Sequence, residues 1–172
     1  MKNLDSPGLD AADHKLLEDV RDYGWHCAWV PPEGDDYEWG FTIGLQATHA
    51  HPELMLFGLP QPTGHALLQG LVERIEAGER LVPNARDERV IQGMPGTFLE
   101  VRTRWYEPLL GFARWFYEGD DFSVLQCVWP DRDGRLPGDA GFSAEVARLQ
   151  PLLDREEAEA AGMSELLRAL GD

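Results

Sequence analysis

The chain has 172 residues, enough for one domain with a sizeable core, and its 43% apolar and 27% charged residues fit a globular protein, neither disordered nor membrane-spanning. Lys and Arg number 15 against 31 Asp and Glu, a formal charge of −16, so the surface field repels phosphate backbones and anionic membranes, and nucleic acid is excluded as a natural partner. No apolar leader follows Met1 and no run reaches the ~18 apolar residues of a membrane span, so a cytoplasmic protein is expected, with Cys27 and Cys127 as reduced, buried thiols.

In chain order, Asp10 can cap a helix over 11–22, because Leu16, Leu17, Val20 and Tyr23 make one stripe at helical spacing, and Gly24 ends it. Trp25 to Val30 is a short strand that reverses through the Pro31–Asp36 turn. Tyr37, Trp39, Phe41, Ile43 and Leu45 alternate with small or polar residues, which is the period of a strand with one buried face. Residues 46–51 read as a polar loop, and Glu53–Leu59 as a strand apolar on both faces and therefore central. A helix over 63–77 starts at a Thr63 cap, and residues 79–96 read as irregular with one short strand. Leu99, Val101, Thr103 and Trp105 alternate as a further strand, a helix over 108–117 follows with Pro108 opening it at its first position, and Phe122–Trp129 is a strand that beyond Ser123 is apolar on both faces except for Gln126. Pro130–Gly134 is a turn. From Ser143 to residue 172 the tail reads as helix in pieces, with caps at Ser143 and Asp154 and a last helix over Ser164–Leu170.

The fold class is therefore α+β: a single domain over 1–172, with a mainly antiparallel sheet covered by helices and a helical C-terminal tail. Phe41, Ile43, Leu56, Phe57, Leu99, Val101, Leu125 and Val128 are expected together in one core.

Three segments, Trp39-Gly40-Phe41-Thr42-Ile43-Gly44-Leu45, His51-Pro52-Glu53-Leu54-Met55-Leu56-Phe57-Gly58-Leu59 and Leu125–Gly134, resemble in this order the bacterial family DUF4262, a domain of unknown function, from about Tyr23 to about Pro151. The chain departs from that pattern at Gly138, where the family carries Trp after the proline. The resemblance implies no activity.

Chemistry-bearing residues lie in those segments. Thr42, His51, Glu53, Trp129 and Asp131 each sit at or beside a strand end, where sites are usually built, and they are expected to gather at one end of the sheet as a ligand-binding group. His51 and Glu53 could serve as an acid–base pair or as a hydrogen-bonded start to the strand, and Gly44 leaves room for a ligand, a second backbone or a bulge, the bulge being favoured. No metal site is expected: His49 and His51 lack a third ligand, and Asp131-x-Asp133-Gly134 lacks the distal acidic ligands of a calcium loop and reads as an aspartate-stabilised turn. The order of elements is also similar to the opening of flavin-reductase-like split barrels, which makes FMN, like a metal ion, a minor cofactor alternative to none.

Two function classes follow. One is a non-catalytic binding module, immunity-like, that takes a basic protein partner; the other is a small-molecule enzyme or flavin binder with a cleft at the strand ends. Catalytic residues, and any homo-oligomer, are left open by the sequence.

Overall fold

Two three-stranded meanders lie side by side in one sheet. The computed structural model describes residues 1–32 and 37–156. After α1 (Ala11–Tyr23), strands β1 (His26–Val30), β2 (Trp39–Ile43) and β3 (Glu53–Phe57) run antiparallel, with α2 (Leu45–His49) between the last two. Helix α3 (Gln61–Glu76) crosses to the second meander, β4 (Arg86–Ile91), β5 (Met94–Glu100) and β6 (Val124–Val128), which is also antiparallel. A 3-10 turn at Thr103–Trp105, α4 (Tyr106–Leu109) and α5 (Gly111–Tyr117) separate β5 from β6, and α6 (Ala144–Leu149) follows the sheet. The halves join through the parallel pair β3–β6, giving the order β1-β2-β3-β6-β5-β4. The architecture is α+β, as the sequence indicates. Among the described residues the sheet is open, with β1 and β4 as edges, and does not close into the barrel that the order of elements resembles.

The core has two layers, because β3 and β6 are buried on both faces, and so is β2, whose alternation indicated only one buried face but whose other face is covered by Trp29 over Gly40 and by Glu53 at Thr42. Met55, Phe57 and Val124 turn toward α1, α4 and α5, with Phe41, Ile43 and Val101; Leu54, Leu56, Leu125 and Cys127 turn toward α3. The single expected core is therefore split by the sheet. Leu99 is half-buried and Phe98 takes the inward place, because the strand runs from Met94 to Glu100, several residues earlier than the alternation at 99–105 suggests. Pro95 and Gly96 argue against a strand, yet a Cβ at Gly96 would lie 2.7 Å from Val90, so close cross-strand packing requires glycine there.

Other boundaries move for local reasons. Asp10 caps α1 through a reciprocal pair with Asp13, as its position suggests. Helix α3 starts after Pro60, not at Thr63, and α2 replaces the expected loop at 46–51. The helix over 108–117 is two helices broken at Leu110, and Pro108 is the third residue of α4 and not the first, still within the first turn, where its N–H would have no partner in any case. Residues 79–96 contain all of β4 and the start of β5. Ser143 caps α6 as expected, whereas the helix over Ser164–Leu170 lies outside the described residues.

A segment beyond the sheet is sewn onto it by two glutamines. The Gln126 side chain, wholly buried in β6, donates to the Pro151 carbonyl at 2.6 Å and accepts from the Leu153 N–H at 3.0 Å. Gln150 accepts from the Trp129 N–H and donates to its carbonyl, both at 2.9 Å. Leu153 thereby enters the core layer on the α5 side.

Candidate functional site

Glu53 opens β3 opposite the end of β2, and almost nothing of it is exposed. Its Oε2 accepts from the Thr42 hydroxyl at 2.6 Å, and its Oε1 accepts from the N–H of Gly44 at 2.8 Å, from the N–H of Gln46 at 3.3 Å and from the Tyr117 hydroxyl. Thr42 in turn accepts from the Leu54 N–H at 2.9 Å. Burial pushes the Glu53 carboxyl above its ordinary value, against the pull of these donors, and burial together with the charge of Glu53 pushes the Tyr117 hydroxyl up as well. Four elements, β2, α2, β3 and α5, meet on this carboxylate, and every donor around it comes from the chain itself. The arrangement is a structural clasp.

Gly44 belongs to the clasp. It leaves the strand at φ 109 to start α2, and a Cβ there would meet Val20 at 3.0 Å and the Gly24 carbonyl at 3.1 Å. Its open side is therefore filled by a second stretch of backbone, and the favoured bulge is not formed.

His51 points elsewhere. With Nδ1 2.8 Å from the Pro52 carbonyl and Nε2 accepting from the Leu81 N–H at 3.2 Å, the network assigns a neutral ring with the proton on Nδ1. Desolvation and the nearby Arg80 charge lower its pKa, although the Pro52 carbonyl works the other way. Both nitrogens are occupied by loop backbone, so His51 and Glu53 do not form an acid–base pair.

Trp129 and Asp131 lie at the other end of the sheet. Because β3 and β6 are parallel, Glu53 stands beside Val124 at one end, while Trp129 follows Val128 at the other and donates its indole N–H to the Phe57 carbonyl at 2.8 Å. The expected gathering of five residues is thus broken: Thr42 and Glu53 meet, His51 stands nearby in sequence with separate partners, and Trp129 and Asp131 are remote. Asp131 accepts from the N–H groups of Asp133, Arg135 and Ser143 at 3.0, 2.9 and 3.1 Å, which makes the aspartate-stabilised turn read in the sequence. Desolvation alone would raise its carboxyl, but these donors outweigh it and hold the group below its usual value. The turn walls an open hollow of about 620 Å³ that also receives Arg132, exposed and without an ion pair among the described residues. Gly138, at the point of departure from the family pattern, is exposed at φ 97.

A pair that the sequence reading missed lies on the edge strand. Asp19 of α1 sits 2.8 Å from His26 Nδ1 and also pairs with Lys15. Desolvation opposes it, but Lys15 and His26 hold the Asp19 carboxyl below its usual value. His26 borders a hollow of about 430 Å³ with Trp25, which stacks on His65, and with Glu73. The available signal was the short return from α1 into β1, which brings Asp19 alongside His26.

The thiols are poor nucleophiles, since burial pushes Cys27 up to about 11 and Cys127 up to about 12. Neither forms a disulfide. Among the described residues, no group of three or more His, Cys, Asp or Glu is placed to hold a metal ion, and no helix is long and apolar enough to cross a membrane. Four exposed arginines are paired internally: Arg86 with Glu88, Arg89 with Glu79, and both Arg102 and Arg104 with Glu156.

These features define a small α+β domain in which the buried Glu53, His51, Gln126 and Asp131 side chains all find partners within the chain, while among the described residues Arg74 Nη1 is buried without one. The family model described as "Domain of unknown function (DUF4262)" matches residues 19–143, most of the chain, and the protein belongs to that family. No curated protein and no solved structure matches it.

Proposed function

We propose that the chain is a cytoplasmic bacterial binding module without catalysis of its own, immunity-like in that it takes a basic protein partner. The observation that carries this reading is the saturation of the acid–base groups singled out in the sequence: Glu53 is filled by donors from three other elements, both nitrogens of His51 are held by loop backbone, and both thiols are raised by burial. A general base or nucleophile needs a free lone pair facing a ligand, and these groups have none to offer. The charge of −16 favours a cationic partner and a fast, steered encounter with it.

A second reading, a small-molecule enzyme, is favoured by the Asp19–His26 pair. There a carboxylate orients an imidazole beside an open hollow, as a general base requires.

The two readings separate on the protein purified from its own cells. Cross-linking followed by mass spectrometry is expected to join it to one basic protein, in a complex that dissociates as salt rises, with no absorbance between about 300 and 500 nm from a carried chromophore. An extractable chromophore or metabolite retained in stoichiometric amount, with no cross-linked protein, would overturn the binding-module reading.

A further inference from the structure

An apolar groove of about 420 Å³ opens between α1 and the α4–α5 corner. Its floor is Trp39 and Phe41, which belong to the α5-side core layer, so the groove leads directly into that core. One wall is Pro108, Phe112 and Trp115; Phe112 is 52% exposed although α5 has a buried side available. A lone exposed phenylalanine is ordinary, but one that continues a half-buried proline and a half-buried tryptophan over an apolar floor marks an interaction surface.

The rim indicates what lies there. Among the described residues, its charged lining residues are both carboxylates, Asp13 and Glu107. Asp13 takes one backbone N–H from Asp10, and exposed Glu107 has no ion pair among the described residues. The wall also accepts a cation from the chain itself, since Lys2 Nζ stands 6.0 Å from the Trp115 ring centroid while reaching Glu118 at 3.5 Å. A second copy of this chain would bring another formal charge of −16 against the same rim, which argues against self-association.

We propose that this groove docks an amphipathic basic segment of a partner protein, its apolar side chains on Pro108, Phe112 and Trp115 and its Lys or Arg side chains against Asp13 and Glu107. The proposal rests on the binding-module reading and gives it a location. It is the helix-in-groove mode of recognition, with apolar anchors supplying affinity and the acidic rim supplying selectivity.

The test titrates the full chain with a synthetic amphipathic Leu/Lys peptide of about 18 residues, long enough to form a helix, and with its Leu/Glu counterpart, by calorimetry. Saturable one-to-one binding of the Leu/Lys peptide alone is expected, weakened at least about tenfold by Phe112→Asp and by Glu107→Lys and unchanged by Glu88→Lys, a charge reversal elsewhere on the surface. Thermal melts confirm that each variant is folded, and each of these positions is exposed. Equal binding to wild type and Phe112→Asp would overturn the groove. So would dimerisation that Phe112→Asp abolishes, which assigns the groove to a second copy, or a rise in peptide affinity on deleting residues 157–172, which assigns it to the chain's own tail. Cross-links to a basic protein that map to the Arg132 hollow would overturn the groove and leave the binding module standing, whereas the absence of any protein partner would remove both.

Discussion

Glu53 and Asp131, the carboxylates at the two ends of the central strand pair, are both buried and both surrounded by donors, but the donors differ in origin. Asp131 takes N–H groups from residues two, four and twelve positions ahead, so its hydrogen bonds define a turn and its surroundings. Glu53 takes hydroxyls from Thr42 and, sixty-four residues away, Tyr117, together with two N–H groups at the start of α2. The first carboxylate shapes a loop; the second ties four elements across the fold. A buried side chain that collects long-range donors should control global stability, and one that collects local donors should control local opening.

The sharpest way to break this comparison is Glu53→Ala, which leaves several buried donors without an acceptor at about 1–3 kcal/mol each and should cost about 3–5 kcal/mol in urea unfolding. A cost as small as that of an exposed substitution would remove the clasp. Tyr117→Phe deletes one hydroxyl and should cost about 1 kcal/mol by the same measurement.

Acidity sharpens the comparison further. Because the Glu53 carboxyl is raised in the folded state, its proton is held more tightly there than in the unfolded chain. The stability linked to that proton is present at low pH and is lost as pH rises through the folded value. In Glu53→Gln this component is absent, so the stability difference between wild type and variant should move in favour of the variant over that rise, and parallel curves would refute the assignment. His51 behaves in the opposite sense: its folded pKa is lowered, so its contribution is complete above about 6.5 and is lost as pH falls below that value. His51→Gln should flatten that part of the curve.

The smallest global effect belongs to Asp131→Asn. Hydrogen exchange at the Arg135 and Ser143 amides should quicken while the unfolding midpoint moves less than in Tyr117→Phe. A midpoint shift matching that of Glu53→Ala would erase the distinction between the two ends.

The same contrast explains what the sequence made legible. The alternation at 37–45, the doubly apolar run at 53–59 and the Asp-x-Asp-Gly turn are patterns within ten residues, and each corresponds to an observed element or bond network. Helix α2 escaped because five polar-rich residues carry too little periodicity, and β5 was misplaced because Trp105 continues in a 3-10 turn the alternation that began in the strand. The clasp joins Thr42, Glu53 and Tyr117 across separations that no local pattern encodes. Placing Asp131 with His51 failed on topology, since the direction of β6 relative to β3 is a property of the assembled sheet. The lone polar residue in the last strand was visible, but its partners lay beyond the turn.

That residue, Gln126, has a consequence for the order in which the chain matures. The family match ends at residue 143, yet the buried amide of Gln126 finds both its partners at 151 and 153. During synthesis, β6 can leave the ribosome and dock on β3 while this amide is still unpaired, a state that carries the cost of a buried unsatisfied group. Only when Leu153 emerges is the last strand sealed. A purified chain truncated just past the family boundary should therefore remain susceptible to protease, and ten further residues should close it.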